Sequence, residues 1–500
     1  MKFNINANRV FGIRDIKLYG HFIEHFHRQI YGGVYDPASP LADEDGFRTD
    51  VIEAMRKIKT PILRWPGGCF VSSYHWENGV GPNRKPMFDK AWRVEDPNSF
   101  GTDEYIKLCR KIGCEPYICT NAGTGTPEEM SNWAEYCNLD NEGYYSKMRI
   151  ANGYEKPHDV KFWSIGNENY GWWEIGAKSA EEWGRLVLES AKMLKHVDPT
   201  IQLSAAALAD VDWNMNLLKH CGQFLDWISL HEYWDMVPQV NELANYEQCM
   251  AYTDRVDHAV AEVRGLLTAL RLEKKIKIAF DEWNLRSWHH PNVHTIQQSI
   301  GKDSYVTPRD KNDDNSQYTM ADAVFTACFL SAMNRNCDIV GMANFAPIIN
   351  TRGCIFTTEK EIVLRSTYHV FDLYVNYLGD TVLDSWCEEM PELTVNHKYG
   401  APVTVDTLDL LATKWTDKEG YALALVNKHP DEAQTITVSM PEAQGNAVIF
   451  TLNGPTRDSY NDIGRNEVGI TKESLGMYLG SLNVTLPPHS VSVLQIGVGR

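Results

Sequence analysis

Eight short apolar runs, separated by longer stretches with helical periodicity, set the strongest limit on what this chain can fold into. The runs are Leu18–Glu24, Pro61–Trp65, Glu115–Thr120, Val160–Gly166, Ile201–Ala205, Trp227–His231, Ile276–Glu282 and Ile339–Ala343. Between them, stretches such as Asp50–Lys59, Ala180–Lys195, Arg255–Leu270 and Ala321–Asn334 repeat apolar residues at spacings of three and four, the period of an amphipathic helix. Alternating strand and helix signals describe parallel strands joined by crossover helices, and eight such units close a (β/α)8 TIM barrel. A barrel strand is covered on both faces, so near-continuous apolar runs are what its wall requires.

A last helical stretch, Tyr368–Leu378, ends this rhythm. Beyond about Gly379 the pattern changes to strand-like segments such as Tyr421–Asn427 and Thr435–Ser439, separated by Asp, Asn, Gly and Pro turns. The expected organisation is α/β: a barrel over residues 12–378 and an all-β, jelly-roll-like sandwich over 379–500. The N-terminal strand 1–11, which has no place in the barrel, is expected to join the sandwich. A chain of 500 residues is long for one core, in keeping with two units. The net charge of −18 argues against a nucleic-acid or anionic-membrane partner. No run approaches the length of a membrane span, and the residues after Met1 lack a signal-like apolar region, so a cytoplasmic location is expected. Eleven cysteines without paired spacing suit a reducing compartment and form no metal motif.

In a barrel of this kind, reactive groups come from the carboxyl ends of the strands. Polar residues gather at those ends: Glu24 after the first run, Arg64-Trp-Pro-Gly-Gly-Cys69 after the second, Asn121 after the third and Asn167-Glu168 after the fourth. The sixth ends in His231-Glu-Tyr233, the seventh in Glu282 and the eighth in Asn344. Two carboxylates in one cleft are the minimal equipment for glycoside hydrolysis, with one protonated at neutral pH and the other ionised. Glu168 is the better acid and base, since Asn167 beside it can hold a sugar hydroxyl and aromatics lie close in sequence. Glu282 is the better nucleophile, because the Tyr233 phenol can reach it from the neighbouring strand and orient a carboxylate. Arg64 is expected to brace a neighbouring carboxylate.

Seven motifs carry a family resemblance: Gly20-His-Phe-Ile-Glu-His25, Tyr31-Gly-Gly-Val-Tyr-Asp-Pro37, Arg64-Trp-Pro-Gly-Gly68, Gly166-Asn-Glu168, Leu230-His-Glu-Tyr233, Asp281-Glu-Trp-Asn284 and Asn350-Thr-Arg-Gly353. The chain resembles the α-L-arabinofuranosidases of glycoside hydrolase family 51 from about residue 8 to the end of the barrel. The resemblance implies a retaining enzyme that releases terminal arabinofuranosyl units from arabinose-containing oligosaccharides, with Glu168 as acid/base and Glu282 as nucleophile. It places Glu24, Asn167, Tyr233 and Asn344 around the arabinose ring, and Trp92 and Trp288 at the border of the leaving-group site. Cys69 stands where some members carry Asn, and Asn344 where some carry Gln, so those two sugar contacts depart from the pattern. A homo-oligomer, a hexamer by analogy, is implied as well.

Competing readings remain open at this level. Endo-glucanases, xylanases and β-xylosidases use related barrels with the same two glutamates, and fold does not settle substrate. A non-catalytic carbohydrate-binding protein is a further alternative, disfavoured by the presence of both glutamates. His21, His25 and His27, and separately His289, His290 and His294, raise the question of a metal site. Their spacings match no compact ligand motif, and neither a metal nor another cofactor is expected.

Overall fold

The computed structural model describes residues 1–234, 245–285, 314–396 and 401–499. Its first strand, β1 (Lys2–Ile13), belongs to a C-terminal sheet, and the barrel wall begins after it. The wall comprises β2 (Gly20–Phe22), β3 (Ile62–Trp65), β4 (Glu115–Thr120), β5 (Phe162–Ile165), β6 (Gln202–Ala205), β7 (Trp227–Trp234), β8 (Lys277–Leu285) and β9 (Val340–Phe345). These pair in parallel in the order β6-β5-β4-β3-β2-β9-β8-β7. The seam between β6 and β7 is drawn together by a bridge between Ala206 and Ser229, where the Ala207 N–H donates to the Ser229 carbonyl at 2.9 Å.

The crossover helices include α1 (Thr49–Lys57), α2 (Thr102–Ile112), α3 (Pro127–Asn138), α4 (Ala180–Val197), α5 (Val211–Cys221), α6 (Arg255–Ala269), α7 (Met320–Arg335) and α8 (Ser366–Tyr377). Their ends follow from local chemistry. Helix α3 starts with Pro127 behind a Thr126 hydroxyl that accepts the Glu129 N–H. Helix α4 starts with a reciprocal Ser179/Glu182 box, and α2 stops at Gly113, whose φ of 89° is left-handed. Helix α7 is different, because every residue from Met320 to Asn334 is buried. It is apolar nearly all round and wedged between β8 and the C-terminal sheet. Arg335 at its end reaches Asp409 of that sheet, 3.0 Å from Oδ1.

The C-terminal domain is mostly sheet, built from β10 (Thr381–Glu388), β11 (Leu408–Lys414), β12 (Tyr421–Asn427), β13 (Gln434–Asn453), β14 (Gly469–Leu486) and β15 (Ser490–Ile496). The order is β1-β10-β11-β12-β15-β13-β14, and β1 also pairs in parallel with β13. The sheet therefore folds back on itself around a core that includes Phe3, Ile5, Leu383, Leu425, Ile436 and Leu494.

Two barrel strands run further than the sequence suggests. Strand β7 continues through Tyr233 to Trp234, and β8 continues past Glu282 to Leu285, because the two keep pairing from Glu282 opposite His231 to Leu285 opposite Trp234. Glu282 consequently lies inside a strand and not at its tip. A register irregularity between Ala279 and Glu282 also relaxes the strict alternation of the strand. Both Asp281 and Glu282 can then approach the same Arg64 guanidinium, which neighbours on a regular strand would not do.

Candidate active site

Arg64, at the carboxyl end of β3 and fully buried, is the hub of the barrel mouth. Its Nη1 donates to Glu282 Oε2 at 2.7 Å and its Nη2 to Asn167 Oδ1 at 2.9 Å, while Nε lies 3.7 Å from Asp281 Oδ2. The Tyr233 hydroxyl donates to the other oxygen of Glu282 at 2.8 Å. With one donor on each oxygen, Glu282 is held as a two-point acceptor in one orientation. Asp281, behind it, accepts from the hydroxyls of Ser229 and Tyr117, each at 2.6 Å. Burial pushes this carboxyl up, but Arg64 and His231 overcome that and bring it down to about 2.

Glu168 follows β5 with a left-handed φ of 43°, which turns it into the mouth. His231 Nδ1 bonds to Glu168 Oε1 at 2.8 Å, and the Trp173 indole N–H donates to Oε2 at 2.8 Å. Burial pushes the Glu168 carboxyl up, but the bond and charge of His231, with the Trp173 N–H, hold it below its ordinary value. Burial alone would lower His231, yet the surrounding carboxylates, Glu282 foremost, lift it to about 10. One oxygen of Glu168, one of Glu282 and a nitrogen of His231 all lie within 4.8 Å of one another.

Glu24, two residues beyond β2, accepts on Oε1 from the Phe70 N–H at 3.1 Å and from the Trp92 indole at 3.0 Å. Burial, reinforced by the charge of Glu282, raises it to about 8, so at neutral pH it is largely an un-ionised acid beside a second carboxyl. The chain makes room for it at Gly67, where φ is 150° and a Cβ would stand 2.2 Å from Glu24 Cγ. At Gly68 a Cβ would meet Glu282, Asn167 and Glu24 at 3.3 to 3.6 Å, so this position faces all three. Cys69 Sγ lies within 4.8 Å of an oxygen of Glu168 and of Glu174. Asn167 accepts from Arg64 and donates to Glu174 Oε2 at 3.4 Å.

The structure thus brings Glu24, Cys69, Asn167, Glu168, Tyr233 and Glu282 to one mouth, with Trp92 bracing Glu24. Asn344 is tied into the wall, its amide donating to the His21 carbonyl at 2.7 Å while its buried Oδ1 has no hydrogen-bond partner. Trp288, and with it His289, His290 and His294, lies outside the described residues. His231, named from sequence only as a strand-end residue without a role, completes the site together with Asp281, Trp173 and Glu174, which the sequence did not single out. The first two sit inside quoted motifs, where the signal was available. Trp173 and Glu174 lie in a loop whose turn decides what they touch. Burial lifts the Glu174 carboxyl to about 7.

The histidines of the first run have separate tasks. His25 Nδ1 bonds to Asp96 at 2.9 Å, its Nε2 accepts from the Trp65 indole, and its ring stacks on Phe70. His21 is fully buried against Phe371, 4.6 Å between centroids, and neither ring nitrogen has a hydrogen-bond partner. Burial depresses it to about 3. The folded state then resists a proton that the unfolded chain accepts near pH 6.5. Stability is therefore intact above that value and is lost progressively as pH falls from 6.5 toward 3, by an amount on the order of 4 kcal/mol for this group. In His21→Phe, equilibrium unfolding should show a shallower loss over that interval; an unchanged slope would exclude this origin of acid lability.

An eight-stranded parallel barrel that presents two carboxyls with oxygens this close, one on a buried guanidinium and the other on a charged imidazole, has the architecture of a barrel glycoside hydrolase. Residues 54–251 match the family model described as α-L-arabinofuranosidase 1 domain, and residues 281–490 that of the α-L-arabinofuranosidase C-terminal domain. The chain is 33% identical to a probable α-L-arabinofuranosidase C of Aspergillus clavatus, over 98% of this chain and 96% of that one. It is 34% identical to an intracellular exo-α-(1→5)-L-arabinofuranosidase 1 of Bacillus subtilis, over 84% and 83%. Among solved structures, an α-L-arabinofuranosidase of Thermotoga maritima in complex with arabinose superposes with a TM-score of 0.88 at 35% identity, covering 99% of both chains. The chain belongs to the α-L-arabinofuranosidases of glycoside hydrolase family 51.

Proposed function

We propose that the protein releases terminal α-L-arabinofuranosyl units from short arabinose-containing oligosaccharides by a retaining, two-step displacement. The observation that carries the mechanism is the closeness of Glu168 and Glu282, whose nearest oxygens lie within 4.8 Å. Retaining glycosidases hold their carboxyls about 5 to 5.5 Å apart, whereas inverting ones leave a wider gap for a water between them. In this reading Glu282, oriented by Arg64 and Tyr233, attacks the anomeric carbon. Glu168 protonates the departing oxygen, then takes a proton from the water that opens the glycosyl-enzyme. The first proton is stored on His231 Nδ1, 2.8 Å from Glu168 Oε1, and passes to the carboxyl when substrate enters. Glu24, Asn167 and Cys69 converge on the same space and would hold the sugar ring, with the un-ionised Glu24 able to donate to a hydroxyl. The free Oδ1 of Asn344 would accept from the same ring, and Trp92 and Trp288 would border the leaving group.

The division proposed for the chain is a barrel up to about residue 378 and a sheet unit beyond it, which takes in the whole N-terminal strand Lys2–Ile13 and so moves the expected boundary at 11/12 by two residues. A cytoplasmic location accords with the intracellular Bacillus relative, and no helix among the described residues is long and apolar enough to cross a membrane. Hexameric assembly is carried over from the resemblance, and the exposed Val10, Phe11, Ile13 and Ile16 offer an apolar contact surface for it. The decisive experiment compares aryl α-L-arabinofuranoside, β-D-xyloside and β-D-glucoside, with the first product anomer followed by NMR. Arabinofuranoside turnover with retention is expected. Preference for xyloside or glucoside would move the substrate to the rival class, and inversion would refute the covalent intermediate.

A further inference from the structure

A third carboxyl stands beside the acid/base, and neither displacement step uses it. The loop after β5 doubles back at Gly171, whose N–H donates to the Glu168 carbonyl at 2.7 Å and whose carbonyl accepts the Glu174 N–H at 3.0 Å. That turn returns Glu174 to the acid/base, so that an oxygen of Glu174, an oxygen of Glu168 and Cys69 Sγ lie within 4.8 Å of one another. Glu174 is only 4% exposed. Its Oε2 accepts one long bond, from the Asn167 amide at 3.4 Å, and its buried Oε1 has no hydrogen-bond partner. A glutamine would accept from Asn167 equally well without the cost of burying a carboxylate, so the fold gives no reason for an acid here. Burial raises this carboxyl to about 7, helped by the charges of Glu168 and Glu282 and only partly offset by Ser72 and Cys69. Around neutral pH it therefore acquires a negative charge within 4.8 Å of the group that must hold the catalytic proton.

The groups around Glu168 pull in two directions. His231 on β7, the Trp173 N–H and Arg64 on β3 favour its ionised form. The opposing charges are Glu282 on β8 and Glu174. Cys69, in the turn after β3, and Tyr170 are kept un-ionised by burial and add no charge, and Ser72 and Asn167 are neutral. Glu282 gives up its charge when it becomes a glycosyl ester, whereas Glu174 keeps its own through both steps. Resting on the glycosidase reading above, we propose that Glu174 is a positioning residue for the acid/base: its charge, held beside Glu168 throughout the cycle, keeps the proton on the Glu168–His231 pair as pH rises and sets the alkaline edge of activity. It acts through Glu168 and not on the reacting atoms. Removing a like charge makes a proton easier to lose, so a neutral side chain at this position must bring the alkaline edge to lower pH. The acid edge stays put, because there Glu174 is already protonated.

The test follows kcat/KM against pH in the full-length enzyme on two substrates. One is α-1,5-linked arabinobiose, whose sugar leaving group needs the proton; the other is 2,4-dinitrophenyl α-L-arabinofuranoside, whose leaving group does not. In Glu174→Gln, which keeps an acceptor for Asn167, the basic limb on arabinobiose should move down by roughly one pH unit, with the acid limb in place. Above the displaced limb the rate on arabinobiose falls about tenfold against the wild type, while the dinitrophenyl substrate is nearly unaffected. Glu174→Ala removes the charge together with the acceptor and should repeat the shift. Glu174→Asp, which restores the charge, should bring the limb back to within about 0.3 unit of the wild type. Melting curves verify the fold of each variant. A basic limb that stays put in the two neutral variants, or an equal loss on both substrates at every pH in Glu174→Gln, overturns the role of Glu174 alone. A wild-type enzyme inert on both substrates overturns the arabinofuranosidase reading and this role with it.

Discussion

Replacing Glu282 with Gln should lower kcat on an aryl α-L-arabinofuranoside by about 10⁴-fold or more, while the protein still folds. The amide keeps the shape of the carboxylate, so its carbonyl oxygen can accept from either Arg64 or Tyr233, but it cannot form a glycosyl ester. It also removes one of the carboxylates facing the buried Arg64. Asp281 remains 3.7 Å from Nε, so the guanidinium is not stranded without a counter-charge, which limits the loss of stability. Stopped assays and a thermal melt on the same preparation separate lost chemistry from lost fold. Turnover within tenfold of the wild type would remove Glu282 from the nucleophile's role.

The second large effect is selective. Glu168→Ala should slow arabinosides with poor leaving groups, such as sugars and alkyl alcohols, by roughly 10² to 10⁴-fold, and activated dinitrophenyl arabinosides far less in the first step. Only the former need a proton in the transition state. The same substitution opens a space beside the anomeric carbon, so azide should restore turnover of the activated substrate and yield an arabinosyl azide of retained configuration. It also removes the acid whose loss of a proton sets the basic limb, so that limb should disappear from the residual pH profile. Equal slowing of both substrate types, or no rescue by azide, would contradict the assignment.

These two expectations rest on residues that were legible before any coordinates. Glu168 and Glu282 each end an apolar run, and a buried run that breaks at a carboxylate marks where a barrel strand meets its cleft. The alternation of runs and helical stretches likewise carried the barrel, because continuous apolar runs and period 3.6 patterns are properties of neighbouring residues. Strand ends were less accessible. Nothing in Trp283-Asn-Leu285 says that β8 continues, since that depends on β7 pairing beside it to Trp234. The Lys2–Ile13 strand could be excluded from the barrel by its position in the chain, but its double pairing with β10 and β13 is a long-range contact with no local signature.

The active site divides in the same way. Sequence by itself determined which groups are available: a pair of glutamates, an arginine ahead of two glycines, a tyrosine one strand away. Only the tertiary structure decided what state those groups are in. Glu24 is lifted to about 8 and Asp281 lowered to about 2, although both are buried carboxyls at the barrel mouth, because one is buried beside another carboxylate and the other faces Arg64 and His231. The turn at Gly171 that lays Trp173 on Glu168 is decided the same way. Hydrophobic periodicity is written along the chain, whereas a proton's energy depends on distance through space and on the water excluded around it, and both are set only when the barrel closes.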